Sequence, residues 1–503
     1  MKTAADHLNS LRDGRTIYLN GQIIHDVTQH PAYRNAVHSA ARLYDFQAAP
    51  ANLERMTFVS PSSGERVNRC WQLPRTYGEL VQRRQALTAW AEQTYGFMGR
   101  SPDHVASCLA GMVMGLEVFA RHNQARAAAL QEYFRYARDH DLFVTYVIVN
   151  PQADRAKGAS GQADEFLAAA ICDEDATGIT IKGGKMLGTS TIMANEVLVT
   201  SIQPLVPGEE QYAFTAAVPL GTPGLKILSR KSYEAAAVSA FDNPLASRFD
   251  ENDAILYFDE VKIPWERVFT YRDTDMCRAQ FHDTPTHVLQ NYQAQIRLMV
   301  KLRFLLGLAR KIAEVNGIIK FPQVVDTLGL CAAQVTMVEG LVCGMEAAGT
   351  QYGEYFVPNK RMLYSALVLT QQLYPQVMHT LRELAGGGMI MLPSSAADFA
   401  HPDIAPYIGR TQRSPVVSPK ERVKLFKLAW DAVGSEFASR HIQYEMFYAS
   451  ATFVTRGHAF RTCAWDTATD LVEHFLATYD LPEADVEGLP LSGNAPLIPR
   501  PAL

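Results

Sequence analysis

Arg100 and His104 stand four residues apart in the segment TyrGlyPheMetGlyArgSerProAspHis (95–104). Ser101-Pro102-Asp103 is a helix-start signal, because Ser can cap and Pro suits the first helical position. Arg100 then sits immediately before the helix, and His104 falls in its first turn. A guanidinium is a permanent cation, and imidazole is the side chain that titrates near neutrality. Together they can bind and deprotonate an acidic hydroxyl such as a phenol. The same spacing also suits a surface arginine and a histidine bonded to a local carbonyl.

Three further segments place polar groups where the chain must turn. ValThrTyrValIleVal (144–149) is an apolar strand that carries Tyr146 and ends at Asn150-Pro151, with Gln152, Asp154 and Arg155 beyond it. Polar groups at a strand end commonly make ligand sites, although a simple strand exit reads the same way. In GlyGlyLysMetLeuGlyThrSerThr (183–191), Gly183-Gly184 reads as a hairpin turn and Gly188 permits close approach of a flat ligand. Thr189, Ser190 and Thr191 add hydroxyls able to bond a ring nitrogen or a peroxide; a plain turn before a Thr-rich strand is equally compatible. AlaGlyGlyGlyMetIleMetLeuProSerSer (385–395) breaks a helix, so N–H groups at Gly386 and Gly387 can face an anion such as a pyrophosphate. It is not a Walker loop, and no G-x-G-x-x-G follows a strand. His25, His30, His282, His287, His379, His401 and His441 lack metal-ligand spacing, and the cysteines form no C-x-x-C pair, so no metal is expected.

These groups need a scaffold. Residues 1–145 read mainly helical after two short strands, ThrIleTyrLeu (16–19) and GlnIleIle (22–24), joined by Asn20-Gly21, a two-residue hairpin signal. Helix formers dominate 78–97 and 104–138. Over 146–280, β-branched runs at 145–149, 179–181, 196–200 and 213–218 alternate with Gly, Pro and Asp clusters, which predicts an antiparallel sheet or barrel. Helix returns over 281–480, where Leu302, Leu305, Ala309 and Ile312 make one apolar stripe and 361–385 and 418–448 read as long helices. A bundle is expected there, followed by a proline-rich tail at 481–503. The fold class is therefore α+β.

Composition removes other classes. Lys+Arg number 47 against 52 Asp+Glu, a net charge of -5, so the cation surplus that nucleic-acid phosphates demand is missing. No window of 18 uninterrupted apolar residues occurs, so no membrane span is expected. The first residues lack the apolar core of a secretory signal, and the scattered cysteines suit a reducing compartment. A cytoplasmic location is the expectation.

Several segments together resemble the oxygenase components of the 4-hydroxyphenylacetate 3-monooxygenase family. They are SerLeuArgAspGlyArg (10–15), AspValThrGlnHisProAlaTyrArgAsn (26–35), GlyPheMetGlyArgSerProAsp (96–103), ValAsnProGln (149–152), ProLeuAlaSerArgPheAspGluAsnAspAlaIle (244–255), IleProTrpGluArgValPhe (263–269), LeuProSerSerAlaAlaAspPhe (392–399) and TrpAspAlaValGlySerGluPheAlaSerArgHis (430–441). The resemblance implies an acyl-CoA-dehydrogenase-like fold with a flavin between β domain and bundle, a homotetramer, and reduced FAD supplied by a separate NAD(P)H:flavin reductase. The implied reaction is ortho-hydroxylation of a para-substituted phenol to a catechol, with O2 as co-substrate and a flavin C4a-hydroperoxide as oxidant. Arg100 falls on the family's phenol-binding arginine. The family commonly places Tyr four residues after it and His four residues before the Asn of Asn-Pro. Here those positions are His104 and Tyr146, so the two residue types are exchanged, and a tyrosine-derived metabolite is favoured over 4-hydroxyphenylacetate. Thr189 matches the threonine near flavin N5. Asn150, Gln152 and Arg155 match the flavin-side loop, and 203–211 matches a lid. Thr191, Gly386 and Gly387 complete the expected cofactor contacts. Two alternatives share the fold: a dehydratase or dehydrogenase acting on a CoA thioester, and a non-catalytic flavin-binding homologue.

Overall fold

Asn20 and Gly21 both take positive φ, 53° and 77°, and close the expected hairpin between β1 (Thr16–Leu19) and β2 (Gln22–Ile24). Residues 1–151 and 153–479 are described by the computed structural model; Gln152 and the expected proline-rich tail lie outside the described residues.

β1 does not stay with the N-terminal helices. It joins a six-stranded sheet with β4 (Ala170–Asp175), β5 (Gly178–Lys185), β8 (Leu225–Ser229) and β9 (Ala254–Pro264), in the order β2-β1-β8-β9-β5-β4. The β1–β8 pairing is parallel, with Thr16 opposite Lys226 and Ile17 opposite Ile227. A second sheet contains β3 (Val144–Val147), β6 (Glu196–Val199), β7 (Phe214–Pro219) and β10 (Val268–Tyr271), in the order β10-β7-β6-β3. Here β3 and β6 are parallel. The β region is thus two mixed sheets rather than a wholly antiparallel one.

Gly183-Gly184, expected as a turn, lies inside β5, opposite Phe258 and Tyr257 of β9. Gly183 has φ 111°, and a Cβ there would stand 2.4–2.5 Å from the carbonyl oxygens of Ala168 and Phe166. Close backbone approach, not chain reversal, explains this glycine. The expected domain cuts at 145 and 280 fall inside β3 and inside the helix Thr274–His282.

The N-terminal helices include α1 (Arg34–Ala48), α2 (Tyr77–Gln93), α3 (Pro102–Met114) and α4 (Gln124–Asp139). The bundle is built from α5 (Thr286–Val315), α6 (Pro322–Ala347), α7 (Lys360–Ala385), α8 (Pro419–Val433), α9 (Glu436–Phe447), α10 (Thr452–Thr462) and α11 (Trp465–Leu476). The stretch read as one helix over 418–448 breaks at Gly434-Ser435, where Ser435 caps α9. α6 is long and apolar enough to cross a membrane, yet it packs on α5 and α7.

α5 positions the site. Every residue from Thr286 to Leu302 is buried, because α2, α3, α6 and α7 all pack on it. A helix buried all round is normally apolar. This one carries Gln290, Gln293, Arg297 and Lys301 inward, so each must find a polar partner.

Candidate active site

Gly99 leaves no room for a side chain, since a Cβ would stand 2.5 Å from the Tyr444 hydroxyl. Arg100 follows, its backbone N–H donating to Glu251 Oε2 at 2.9 Å, and Pro102 opens α3 as the sequence predicts. The guanidinium folds over the first helical turn, with Nη1 2.7 Å from His104 Nε2. The Tyr146 and Tyr444 rings flank it at 5.0 and 5.3 Å. Tyr146 arrives from β3, its ring 5.4 Å from that of His104. Arg100, His104 and Tyr146 are all buried, so the structure brings the three expected residues into one cluster.

Two glutamines of α5, one turn apart, complete it. His104 Nδ1 lies 2.9 Å from Gln293 Oε1, and Gln290 Nε2 donates to the Tyr146 hydroxyl at 3.1 Å. Gln290 Oε1 and the Tyr444 hydroxyl are buried without a partner. Burial, and next the Arg100 cation, hold His104 well below the usual imidazole range, so the ring is a neutral base. Burial likewise raises the Tyr146 phenol, against the pull of Arg100. Burial works against the Arg100 charge, but Tyr146, Tyr444 and Glu251 outweigh it and raise its pKa. A permanent cation beside a neutral base, shielded from water, can grip a phenol oxygen and take its proton.

The Thr189 turn abuts this cluster. Thr145, next to Tyr146 in β3, donates its hydroxyl to the Thr189 carbonyl at 2.6 Å. Thr189 Oγ1 gives its own proton to Asp253 Oδ1, also at 2.6 Å. Arg440 of α9 and Arg230 both bond that carboxylate, and Arg440 also bonds Glu251, the acceptor of the Arg100 N–H. Burial opposes ionisation of Asp253, yet the two guanidiniums hold its pKa well below the carboxylate range. With its proton committed, Thr189 Oγ1 keeps lone pairs free to accept a bond. That free acceptor fits a reduced flavin, whose N5–H needs one.

Other expected contacts separate. Thr191 is fully buried and donates its hydroxyl to the Gly188 carbonyl at 2.8 Å, which shapes the turn. Gly188 is glycine for the same internal reason: a Cβ would meet Leu256 and Thr191 Oγ1, both at 2.6 Å. Asn150 Oδ1 accepts a bond from Lys185 Nζ at 2.8 Å, and Arg155 is exposed. Gly386 and Gly387 are exposed and belong to a turn packed on α7 and α8. That turn follows the C-terminal end of α7, where the helix dipole favours cations, so the expected anion grip lacks that support. The segment 203–211, expected as a lid, is pinned at Glu209, which accepts bonds from Ser160 N and Oγ and from Val206 N.

Sequence reasoning missed Gln290, Gln293 and Lys185. Lys185 is buried at the end of β5, donating to Asn150, the Thr200 carbonyl and Ser201, and burial brings its pKa down to about 7. The available signal was polarity in the wrong place, glutamines and cations inside otherwise apolar stretches.

Known proteins share this arrangement of elements. The 4-hydroxyphenylacetate 3-hydroxylase N terminal model matches residues 3–270, and the corresponding C terminal model matches residues 277–477. A 4-hydroxyphenylacetate 3-monooxygenase oxygenase component from Geobacillus sp. is 34% identical over 451 residues, covering 89% of this chain and 90% of its own length. The pyoverdin chromophore biosynthetic protein PvcC of Pseudomonas aeruginosa is 35% identical over 460 residues, covering 89% of each. A crystal structure of the oxygenase component HpaB, complexed with FAD and 4-hydroxyphenylacetate, superposes with a TM-score of 0.90 at 30% identity, covering 95% of this chain and 99% of the other. The chain belongs to the 4-hydroxyphenylacetate 3-hydroxylase family.

Proposed function

We propose that the chain is the oxygenase component of a two-component monooxygenase that hydroxylates a para-substituted phenol ortho to its hydroxyl. The convergence of Arg100, His104 and Tyr146 beside Thr189 carries this reading. FAD, delivered in reduced form by a separate NAD(P)H:flavin reductase, supplies two electrons to O2, so that one oxygen atom enters the ring and the other leaves as water. Thr189 Oγ1 would accept from the flavin N5–H, and Asn150, bonded to Lys185, and the exposed Arg155 would reach the cofactor from the loop that follows β3. Arg100 holds the phenol oxygen by its charge. His104 Nε2 takes the phenol proton, which enriches the ring carbon beside the oxygen in electron density. Tyr146 donates to the same oxygen. Burial of all three keeps water from diverting the oxidant to hydrogen peroxide.

The exchange of His104 and Tyr146 supports a tyrosine-derived metabolite as the native substrate. Relatives support such breadth, since their names point to both 4-hydroxyphenylacetate and a pyoverdin chromophore. A CoA-thioester reaction based on an iron–sulfur cluster would need thiolates near Arg100. Cys108 is the cysteine on α3, and burial pushes its thiol up to about 12. A homotetramer is proposed as well, on the apolar faces of Leu471, Val472, Phe475 and Leu476 on α11 and Val325, Leu330 and Met337 on α6, all exposed in the single chain. Light scattering on the purified protein checks it, and a monomer refutes it. We place the enzyme in the cytoplasm on its composition.

The deciding experiment is turnover with a generic flavin reductase, NADH and FAD against a panel of para-substituted phenols. Catechol formation is expected. Normal flavin binding with no catechol from any phenol would overturn the proposal.

A further inference from the structure

Gln293 stands between two groups that dictate its orientation. Its Nε2 donates to Asp103 Oδ2 at 3.1 Å, and its Oε1 faces His104 Nδ1 at 2.9 Å. Asp103 also accepts the Ser101 hydroxyl, and both residues are buried in the first turn of α3. Burial raises the Asp103 pKa, with Ser101, Gln293 and Arg83 pulling the other way; Asp103 accepts from both Ser101 and Gln293, so the amide turns its NH2 toward it. Its carbonyl then faces the imidazole, which must carry its proton on Nδ1. The lone pair of His104 is thereby left on Nε2, where it accepts from Arg100 Nη1 until a phenol hydroxyl takes that place.

We propose that Gln293 is a positioning residue, which transmits the polarity of Asp103 to His104 and fixes the imidazole in the one tautomer able to accept a phenol proton at Nε2. This rests on the phenol-hydroxylase reading and adds to it the group that sets the base. An amide is suited to the task. It conveys orientation from the carboxylate without placing negative charge against the ring, so His104 stays neutral until substrate arrives. The charged and titratable groups facing His104 are Arg100, Arg297 and Tyr146, with Asp103 acting through the amide. Gln290 does not share the role, since its bond is to Tyr146.

One arm of the test needs no flavin. 4-Nitrophenol is yellow only as its phenolate, so its ionisation in the flavin-free full-length protein can be titrated directly, alongside steady-state turnover. The parent protein is expected to lower the bound probe's pKa by about one unit or more, through the Arg100 cation and proton acceptance at His104 Nε2 together. Gln293→Leu, which offers Nδ1 no acceptor, should return the bound pKa toward the free value. It should also lower kcat roughly tenfold to a hundredfold with little change in KM. Gln293→Glu keeps an acceptor for Nδ1 but sets negative charge against the ring, so it should hold the tautomer while moving the basic requirement of kcat to higher pH. If Gln293→Leu does not fold, Gln293→Met of similar volume replaces it. A Leu or Met variant with the parent's phenolate band and kcat overturns the positioning role alone. No shift of the probe by the parent protein removes the phenol site itself, and the relay with it.

Discussion

Arg440 grips both carboxylate oxygens of Asp253, Nη2 to Oδ1 at 2.6 Å and Nε to Oδ2 at 2.9 Å, joining the bundle to the β region directly behind Thr189. Removing one partner of a buried pair leaves the other uncompensated. Arg440→Ala is therefore expected to destabilise the protein by about 3 kcal/mol and to weaken FAD retention. Thermal unfolding and flavin titration check this. An unchanged melting temperature would show that Arg230 alone suffices for Asp253.

Thr189 depends on that anchored carboxylate. Thr189→Val keeps the shape but loses both the proton given to Asp253 and the acceptor offered to a flavin. We expect the ratio of catechol to hydrogen peroxide to fall by about tenfold, the worth of one hydrogen bond to a charged group. Measuring both products per NADH consumed decides the point. An unaltered ratio would place the flavin elsewhere.

His104 and Tyr146 occupy each other's expected positions, and their rings are neighbours. His104→Tyr and Tyr146→His should each lower kcat/KM by about a hundredfold or more, since each removes the base or duplicates it in the wrong place. The double variant should recover much of the loss on 4-hydroxyphenylacetate, because contacting residues couple. Loss in the double equal to the sum of the two singles would count against a shared site.

Glu445 lies fully buried between Arg297 and Lys301, with the Arg297 Nη2–Oε2 bond at 2.9 Å and Lys301 Nζ at 3.0 Å from Oε1. Burial opposes its charge, but the two cations prevail and lower its pKa from 4.5 to about 2. A depressed carboxylate contributes stability above its unfolded pKa and loses it as pH falls through the folded one. Glu445→Gln should thus cost on the order of a few kcal/mol at neutral pH. The gap from the parent should narrow between pH 4.5 and about 2. Urea unfolding across that range checks it, and a gap independent of pH would remove Glu445 as the cause.

The layers of the fold were legible because their patterns are local. The hairpin at Asn20-Gly21 and the Pro102 start of α3 depend on nearest neighbours, and both stand where the sequence puts them. Gly183-Gly184 misled because a glycine pair signals a turn and a close backbone contact alike, and the contact partners, Phe166 and Ala168, are set by tertiary packing. The direction of the Thr191 hydroxyl, bonded to the Gly188 carbonyl, cannot be read from its position in a run of three. Gln293 was invisible for the opposite reason. It lies in a helix whose pattern looks unremarkable until burial from Thr286 to Leu302 turns every polar side chain there into a question.

The parallel pairing of β1 with β8 ties the order of synthesis to the order of folding. β1 leaves the ribosome early with only β2 beside it, and its other edge stays open until Lys226 and its strand emerge, so that sheet closes late. A fragment starting after the N-terminal helices would expose β8 as a bare edge, open to pairing with other chains. Such a fragment should aggregate, and trimming the protein from its front should harm the distant sheet before it harms the nearby helices.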